Sequence, residues 1–115
     1  MEGLIKKKSK SLRHQLIDVV AKNGDIATVE ALIEARANVD KADKDGWTAL
    51  TLAAKNGRTE TVNALLKAGA EVDHQAGKKG KKGWTPLMFA AKSGHTETVE
   101  ALIEARANVD KADKD

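Results

Sequence analysis

The chain contains no cysteine, one proline, one phenylalanine and two tryptophans among its 115 residues. Without cysteine it cannot form a disulfide, a thiol nucleophile or a cysteine-ligated zinc site, so packing alone must hold its core. No apolar run is long enough to cross a bilayer, and the start, MEGLIKKKSK, lacks the apolar stretch of a secretory signal. We therefore expect a protein of the cytoplasm or the nucleus, and helices should dominate because Ala, Leu, Lys and Glu are abundant.

An internal repeat is the strongest feature that is present. The segment TVEALIEARANVDKADKD at residues 28–45 recurs letter for letter at residues 98–115, and a divergent version, TVNALLKAGAEVDHQ, begins at Thr61. The spacing is 33 residues from Val29 to Val62 and 37 from Val62 to Val99, so a period of 33 carries four inserted residues in its second step. A period of this length predicts a stack of repeated units and not one closed core.

Each repeat has the same order of signals: a glycine turn, a short helix, a second glycine, a second helix and a polar connector. In the middle repeat Gly46 can supply the positive φ of a tight turn, and Thr48 is placed to cap a first helix that Gly57 ends. The spacing of apolar residues predicts a second helix over residues 59–68. The third repeat follows the same order, with Pro86 at the first helical position. The apolar positions assigned to the core are Leu50, Leu52, Ala53, Ala54, Val62, Leu65, Leu66, Leu87, Ala90, Ala91, Val99, Leu102 and Ile103.

Two segments, DGWTALTLAAKNGRTETVNALLKAGAEVD and KGWTPLMFAAKSGHTETVEALIEARANVD, resemble ankyrin repeats, whose pattern is G-x-T-P-L-H-x-A-A-x-x-G-H followed by V-x-x-L-L. The resemblance covers about residues 11–113. It implies an all-α repeat solenoid, an ankyrin-repeat stack of antiparallel helix pairs with projecting β-hairpin loops and a concave face. We name residues 11–42 unit one, residues 43–75 unit two and residues 76–115 unit three, after a basic N-terminal segment at residues 1–10. Unit one lacks the glycine-threonine turn, and its polar first helix fits an N-terminal cap.

Two departures from the family pattern bear on stability. Thr51 and Met88 stand where the family has histidine, so the threonine-histidine hydrogen bond between turns should be missing. Arg36 and Arg106 stand where Gly69 ends the second helix, and a side chain in the left-handed region costs on the order of 1 kcal/mol. The exact 18-residue duplication is compatible with recent duplication or with deliberate assembly, which leaves open an engineered scaffold without a natural ligand.

No polar cap is visible after the second helix of unit three. That helix matches the second helix of unit one, which must stack on a neighbour, so its outward side should resemble an inner surface. The chain is then either a fragment of a longer array or is covered by a partner or a second copy. We expect end-to-end self-association through the uncapped C-terminal unit at high concentration.

The four-residue insertion places HQAGKKGKK in the hairpin loop of unit three. Its lysines predict weak binding of nucleic acid, phosphoinositide or other acidic surfaces, whereas a solvated loop without a ligand is the simpler alternative. GKKG resembles the clamp of a KH module, but no flanking sheet is predicted, and the spacing of a phosphate-binding P-loop is absent.

No catalytic, metal or cofactor site is predicted. His14, His74 and His95 fall in separate units without metal-ligand spacing; we expect His95 to be structural and the other two to be exposed. The run from Asp43 to Gly46 has a trace of a calcium loop, but a tight turn explains it directly. The ankyrin resemblance also argues against an enzyme, because such arrays generally hold other proteins.

The sequence therefore predicts a protein–protein interaction module that binds a macromolecular partner, of unknown identity, through the concave face and the hairpin tips. Its two tryptophans each lie between a turn glycine and a capping threonine. They are either exposed interface anchors or flat covers that hold the neighbouring hairpin. The rival function is electrostatic binding through the lysine-rich insertion. The predicted contact residues are Lys44, Asp45, Trp47, Lys55, Asn56, Lys78, Lys79, Lys81, Lys82, Trp84, Lys92 and Ser93.

Overall fold

The computed structural model describes residues 16–17, 19–20, 25–77 and 83–105. Its helices are α1 (Ile26–Glu34), α2 (Ala49–Lys55), α3 (Thr59–Lys67), α4 (Pro86–Lys92) and α5 (Thr96–Glu104). Residues 16, 17, 19 and 20 are also helical and belong to unit one. Predictions for His14, Arg106, the N-terminal segment at residues 1–10 and the four lysines of the insertion lie outside the described residues.

The first helix of units two and three begins as the turn residues predict. Gly46 has φ 83°, and the Thr48 hydroxyl accepts a hydrogen bond from the Thr51 amide at 3.2 Å. In unit three the Thr85 hydroxyl accepts from the Met88 amide at 3.3 Å, and Pro86 occupies the first helical position. These caps satisfy amide donors that the helix itself leaves without partners, so the two helices start at equivalent places.

The helix ends share one hydrogen-bond pattern. After α2 the Gly57 amide donates to the Ala54 carbonyl and the Arg58 amide to the Ala53 carbonyl, with Gly57 at φ 70°. This is the Schellman arrangement, which needs a left-handed residue. Gly69 and Gly94 take the same role at φ 88° and 74°. Arg36 does so after α1 at φ 66°, which confirms that a side chain occupies a glycine position there.

The helices form two rows. The second helices α1, α3 and α5 pack side by side, and α2 packs on α4 in the row of first helices. Within units two and three, α2 packs on α3 and α4 on α5. The predicted helix at residues 59–68 is confirmed as α3, with Ala68 as its C-cap. The core between the rows is formed by Leu16, Val20, Val29, Leu32, Ala49, Leu50, Ala53, Ala54, Val62, Leu65, Ala70, Ala90 and Leu102.

The hairpin of unit three is closed by one antiparallel pair. Ala76 and Trp84 exchange two backbone hydrogen bonds of 2.8 Å across the insertion. The Gly77 amide donates to the Asp45 carbonyl at 3.2 Å, which ties this hairpin to the turn of unit two. The inserted residues therefore leave from a paired base that keeps Trp84 at a fixed place beside unit two.

Two histidines connect neighbouring segments. His95 Nε2 lies 3.0 Å from the Lys55 carbonyl oxygen, so the structural role predicted for His95 is confirmed. The prediction that His74 is exposed is wrong. Its side chain is 27% exposed, and its Nε2 lies 2.8 Å from the Gly46 carbonyl oxygen. The connector after α3 folds back over the glycine turn, a long-range contact that the polar sequence around His74 did not indicate.

Residues assigned to the core differ between unit two and unit three. Leu50 and Ala54 are buried, whereas their counterparts Leu87 and Ala91 are partly exposed and exposed. Ile103 is 48% exposed, although Ile33 of α1 packs against the core. The predicted inner-type surface on the outward side of α5 is thus uncovered in the described residues. Among those residues, no helix has the length and apolar character that crossing a membrane requires.

Candidate functional site

An aromatic groove lies where the turn of unit two meets the hairpin of unit three. It has a volume of about 460 Å³ and is open to solvent. Turns, hairpin and first helices all contribute to its wall, which is the face that the sequence assigned to recognition. Its lining residues are Trp47, Lys55, Ala76, Gly77, Trp84, Phe89, Lys92 and Ser93. We call this feature the aromatic groove.

Trp47 is fixed by the turn that precedes α2. The Asp43 amide donates to the Trp47 carbonyl at 2.9 Å, and Asp43 Oδ1 accepts from the Trp47 and Asp45 amides at 2.9 Å each. The Gly46 amide closes the turn by donating to the Asp43 carbonyl at 2.9 Å. Asp43 is therefore engaged as a turn residue, as the sequence predicted, and its carboxylate holds the backbone that carries the indole.

Trp84 is held from the other side by the paired base of the hairpin. Its amide and carbonyl both bond to Ala76, which is buried under the groove. Gln75 Nε2 donates to the neighbouring Gly83 carbonyl at 3.1 Å. Both indoles thus stand on backbones with several hydrogen bonds, so little backbone entropy is left to lose when a ligand binds.

Phe89 joins the two tryptophans into one cluster. Its ring centroid lies 4.6 Å from that of Trp47 and 5.3 Å from that of Trp84, with interplanar angles of 36° and 44°. These tilted contacts lie in the range where aromatic pairs attract beyond their apolar burial. Each of the three rings is partly buried and partly in contact with solvent. Trp47 therefore packs across units, Trp84 packs within its own unit, and both keep exposed surface. Whether either indole anchors an interface stays a prediction.

Two lysines frame the cluster symmetrically. The Lys55 ammonium lies 5.1 Å above the centroid of Trp47, and the Lys92 ammonium lies 5.1 Å above that of Trp84. Each lysine is the last residue of a first helix, where the helix dipole favours a cation. A ring beneath an ammonium attracts it through the quadrupole and leaves its N–H groups able to donate. The groove therefore carries positive charge directly above its apolar floor.

The predicted contact residues separate into three groups. Trp47, Lys55, Trp84, Lys92 and Ser93 line the aromatic groove. Lys44, Asp45 and Asn56 lie outside its lining. The backbone carbonyl of Asp45 accepts the hydrogen bond from the Gly77 amide. Lys78, Lys79, Lys81 and Lys82 fall outside the described residues. Whether any of them binds a partner stays a prediction.

The sequence analysis did not name three groove residues, Ala76, Gly77 and Phe89, and Phe89 is the one that contributes a ring. Phe89 stands four residues after the capping Thr85, at the position that Leu52 holds after Thr48, but it was not among the apolar positions assigned to the core. The available signal was its identity as the one phenylalanine of the chain, five residues from Trp84. Its contact with Trp47 crosses the insertion, and local spacing does not reveal such a contact.

A family model of ankyrin repeats matches residues 16–115 in three copies. The chain therefore belongs to the ankyrin-repeat family, as the turn, cap and helix signals indicated. No curated protein gives a significant match to the chain. Ankyrin repeats are generally protein–protein interaction modules and are typically not catalytic. Among the described residues, no group of three or more His, Asp or Glu side chains could hold a metal ion.

Proposed function

We propose that the chain is a protein-interaction module whose aromatic groove holds an acidic segment of another protein, anchored by one bulky apolar side chain. The observation that carries the proposal is the cluster of Trp47, Phe89 and Trp84 with Lys55 and Lys92 above its indoles. The family supports a role in binding proteins. The groove adds the chemistry of the segment that it fits.

The apolar part of the proposal rests on the ring cluster. Tryptophan anchors dominate many interfaces, because a large, rigid ring in a preformed setting loses little entropy on binding. Here the rings already pack on one another, so a partner's aromatic or long aliphatic side chain meets a ready floor. A cavity of about 460 Å³ is large enough for such a side chain together with some of its flanking backbone.

The acidic part of the proposal rests on charge complementarity. Lys55 and Lys92 are both exposed, and Lys44 adds a third exposed cation on the turn of unit two. A carboxylate that approaches the groove can accept hydrogen bonds from the ammonium groups while the indoles hold them in place. A basic segment would meet repulsion at the same two points, so the groove discriminates by charge as well as by shape.

Peptide binding tests this proposal through the groove's own fluorescence, because Trp47 and Trp84 are the only tryptophans in the chain. Three short peptides serve as probes: four glutamates around a central phenylalanine, four glutamates around a central alanine, and four lysines around a central phenylalanine. We expect the first to shift the indole emission at the lowest concentration. Equal responses to all three peptides would contradict the proposal.

Variants assign the response to residues. The double variant K55A/K92A should weaken binding of the peptide with four glutamates and a central phenylalanine at least fivefold. K67A, which removes an exposed lysine from the last turn of α3, should leave that binding unchanged. Phe89→Leu introduces the leucine that unit two has at the equivalent position. It should reduce the preference for the acidic peptide with phenylalanine over the one with alanine. If K55A/K92A binds as well as the original chain, the charge argument is wrong.

The rival function, electrostatic binding of nucleic acid or phosphoinositide, is tested in the same format with a ten-nucleotide oligothymidine. Binding through the insertion would fall steeply between 50 and 200 mM salt, survive Phe89→Leu, and weaken when residues 77–80, which include Lys78 and Lys79, are deleted. Binding of the acidic peptide in the aromatic groove should weaken less with salt.

A further inference from the structure

The second helix of unit three exposes the face by which the second helix of unit one holds unit two. From Thr28 and Thr98 onward, α1 and α5 are identical in sequence. In α1 this face includes Ala31, Ile33 and Glu34, which line one surface groove together with Ala64 and Lys67 of α3. In α5 the corresponding Ile103 is 48% exposed, and it is the one large hydrophobic side chain exposed within the described part of the chain. The same helix face therefore packs on unit two in α1 and is exposed to solvent in α5.

The regular contact between units two and three shows how the face is used. Leu66 of α3, the counterpart of Ile33 and Ile103, packs against the core beside Ala101 and Glu104 of α5. The Thr59 hydroxyl lies 2.9 Å from the Thr98 hydroxyl across the same contact. A second helix therefore docks on the next one through an aliphatic side chain and a threonine pair.

Unit three matches this regular contact better than unit one does. At the position of Thr59, α5 has Thr96, whereas α1 has Ile26 and so cannot supply the hydroxyl. At the next position α5 has Glu97 where α1 has Ala27, but α3 has Glu60 there and still stacks on unit three. If α5 packed against α3 of another copy, Ile103 would take the place of Ile33. Thr96 of α5 would then face Thr61 of α3, which is the counterpart of Thr98.

We infer that unit three of one copy docks on unit two of a second copy in place of that copy's own unit one, and so builds head-to-tail assemblies. A second copy of the chain is the expected partner, because its α3 would be contacted in the way that α1 contacts α3 inside one chain. Because the exchanged contact is heterologous, it does not close on itself and adds copies in a line. A tethered unit one acts at an effective concentration in the millimolar range, so exchange should grow as the protein approaches that range.

Light scattering after size-exclusion chromatography tests the inference on the full chain, from about 0.02 to 1 mM. The original chain should be monomeric at the dilute end and gain average mass with concentration. Ile103→Glu removes the docking side chain from an exposed site and should stay monomeric throughout with unchanged helical circular dichroism. Mass growth in I103E equal to that of the original chain would overturn the inference.

A second variant separates exchange from simple stacking on the outside of unit one. Ile33→Glu weakens the packing of unit one on unit two and so uncovers the face of unit two. If unit three of another copy replaces unit one, I33E should assemble at a concentration at least fivefold lower than the original chain. The milder Ile33→Ala should shift it in the same direction. The double variant I33E/I103E should be monomeric again. If I33E and I33A assemble at the same or a higher concentration than the original chain, unit one is not the element that is replaced. Phe89→Leu, which alters the aromatic groove, should leave the assembly unchanged.

Discussion

Units two and three share a plan, but the same position has different surroundings in the two. Leu50 and Ala54 of α2 are buried, while Leu87 and Ala91 of α4 keep partial or full contact with solvent. Both helices have the same threonine cap, the same length and the same glycine end. The difference comes from the neighbour: unit two is covered on both sides, whereas α4 and α5 have a covered side and an open one in the described residues. At these two positions burial is set by the next unit and not by the residue's own unit.

The second difference between these units produces the site. Position for position, Leu52 of unit two is replaced by Phe89 in unit three. The larger ring reaches back to Trp47 of the preceding unit and also contacts Trp84 of its own. One substitution in a repeated frame therefore converts a half-buried aliphatic position into the floor of a groove, while the lysine above each indole is common to both units.

The largest contrast in stability is expected when a charge is placed at the equivalent positions Ala54 and Ala91. Ala54→Glu buries a carboxylate between units and should destabilise the chain by about 4 kcal/mol or more. Ala91→Glu places the same group in solvent and should change stability by no more than about 0.5 kcal/mol. Urea unfolding followed by circular dichroism measures both. Comparable losses in the two variants would show that α4 is covered as fully as α2.

A truncation at the matched leucine should give a smaller contrast. Leu50→Ala leaves a cavity in a packed core and should cost about 3 kcal/mol, whereas Leu87→Ala, which is partly exposed, should cost about 1 kcal/mol. The same urea titrations give both values. An equal cost at the two positions would contradict the assignment of burial to the following unit.

The glycines that end α2 and α4 sharpen the comparison further. Both have positive φ, but a Cβ on Gly57 would lie 2.5 Å from the His95 ring, whereas one on Gly94 would meet nothing within 4 Å. Gly94→Ala should therefore cost about 1 kcal/mol for conformation alone, and Gly57→Ala about 2 kcal/mol or more, because the ring must also move. Thermal unfolding of the two variants measures the difference. A larger loss in G94A would contradict the packing of His95 on unit two.

The smallest effect concerns the one left-handed arginine in the described residues. Arg36→Gly should stabilise the chain by about 0.5 to 1 kcal/mol, because glycine adopts φ 66° without a Cβ penalty. Gly69→Arg is the matched reverse change, and open space around Gly69 means that only conformation opposes it. Opposite and similar shifts in the urea midpoint are expected. Stabilisation by G69R would refute the conformational explanation.

The repeat pattern was sufficient to predict the fold, because caps, turns and helix ends depend on residues a few positions apart. Thr48, Thr85, Gly57 and Pro86 all act as their local sequence indicated. The aromatic groove was predicted only in part. Its tryptophans and lysines stand at marked turn and helix-end positions, but Phe89 joins them through a contact across the insertion. His74 is likewise partly buried by a distant contact, because its ring meets the Gly46 carbonyl. Both are contacts between distant segments that a local period cannot specify.

Amide hydrogen exchange on the dilute monomer tests the central claim most directly, because α2 and α4 offer matched amides. The Leu52 and Asn56 amides donate to the Thr48 and Leu52 carbonyls at 3.1 and 3.0 Å, and the Phe89 and Ser93 amides donate to the Thr85 and Phe89 carbonyls at 3.2 and 3.1 Å. The hydrogen bonds are equivalent, so a difference in protection must come from the neighbouring units. We predict that the α2 amides exchange at least about tenfold more slowly than their α4 partners, which corresponds to roughly 1.4 kcal/mol. Equal protection, or slower exchange in α4, would contradict the claim that the following unit determines how firmly each repeat is held.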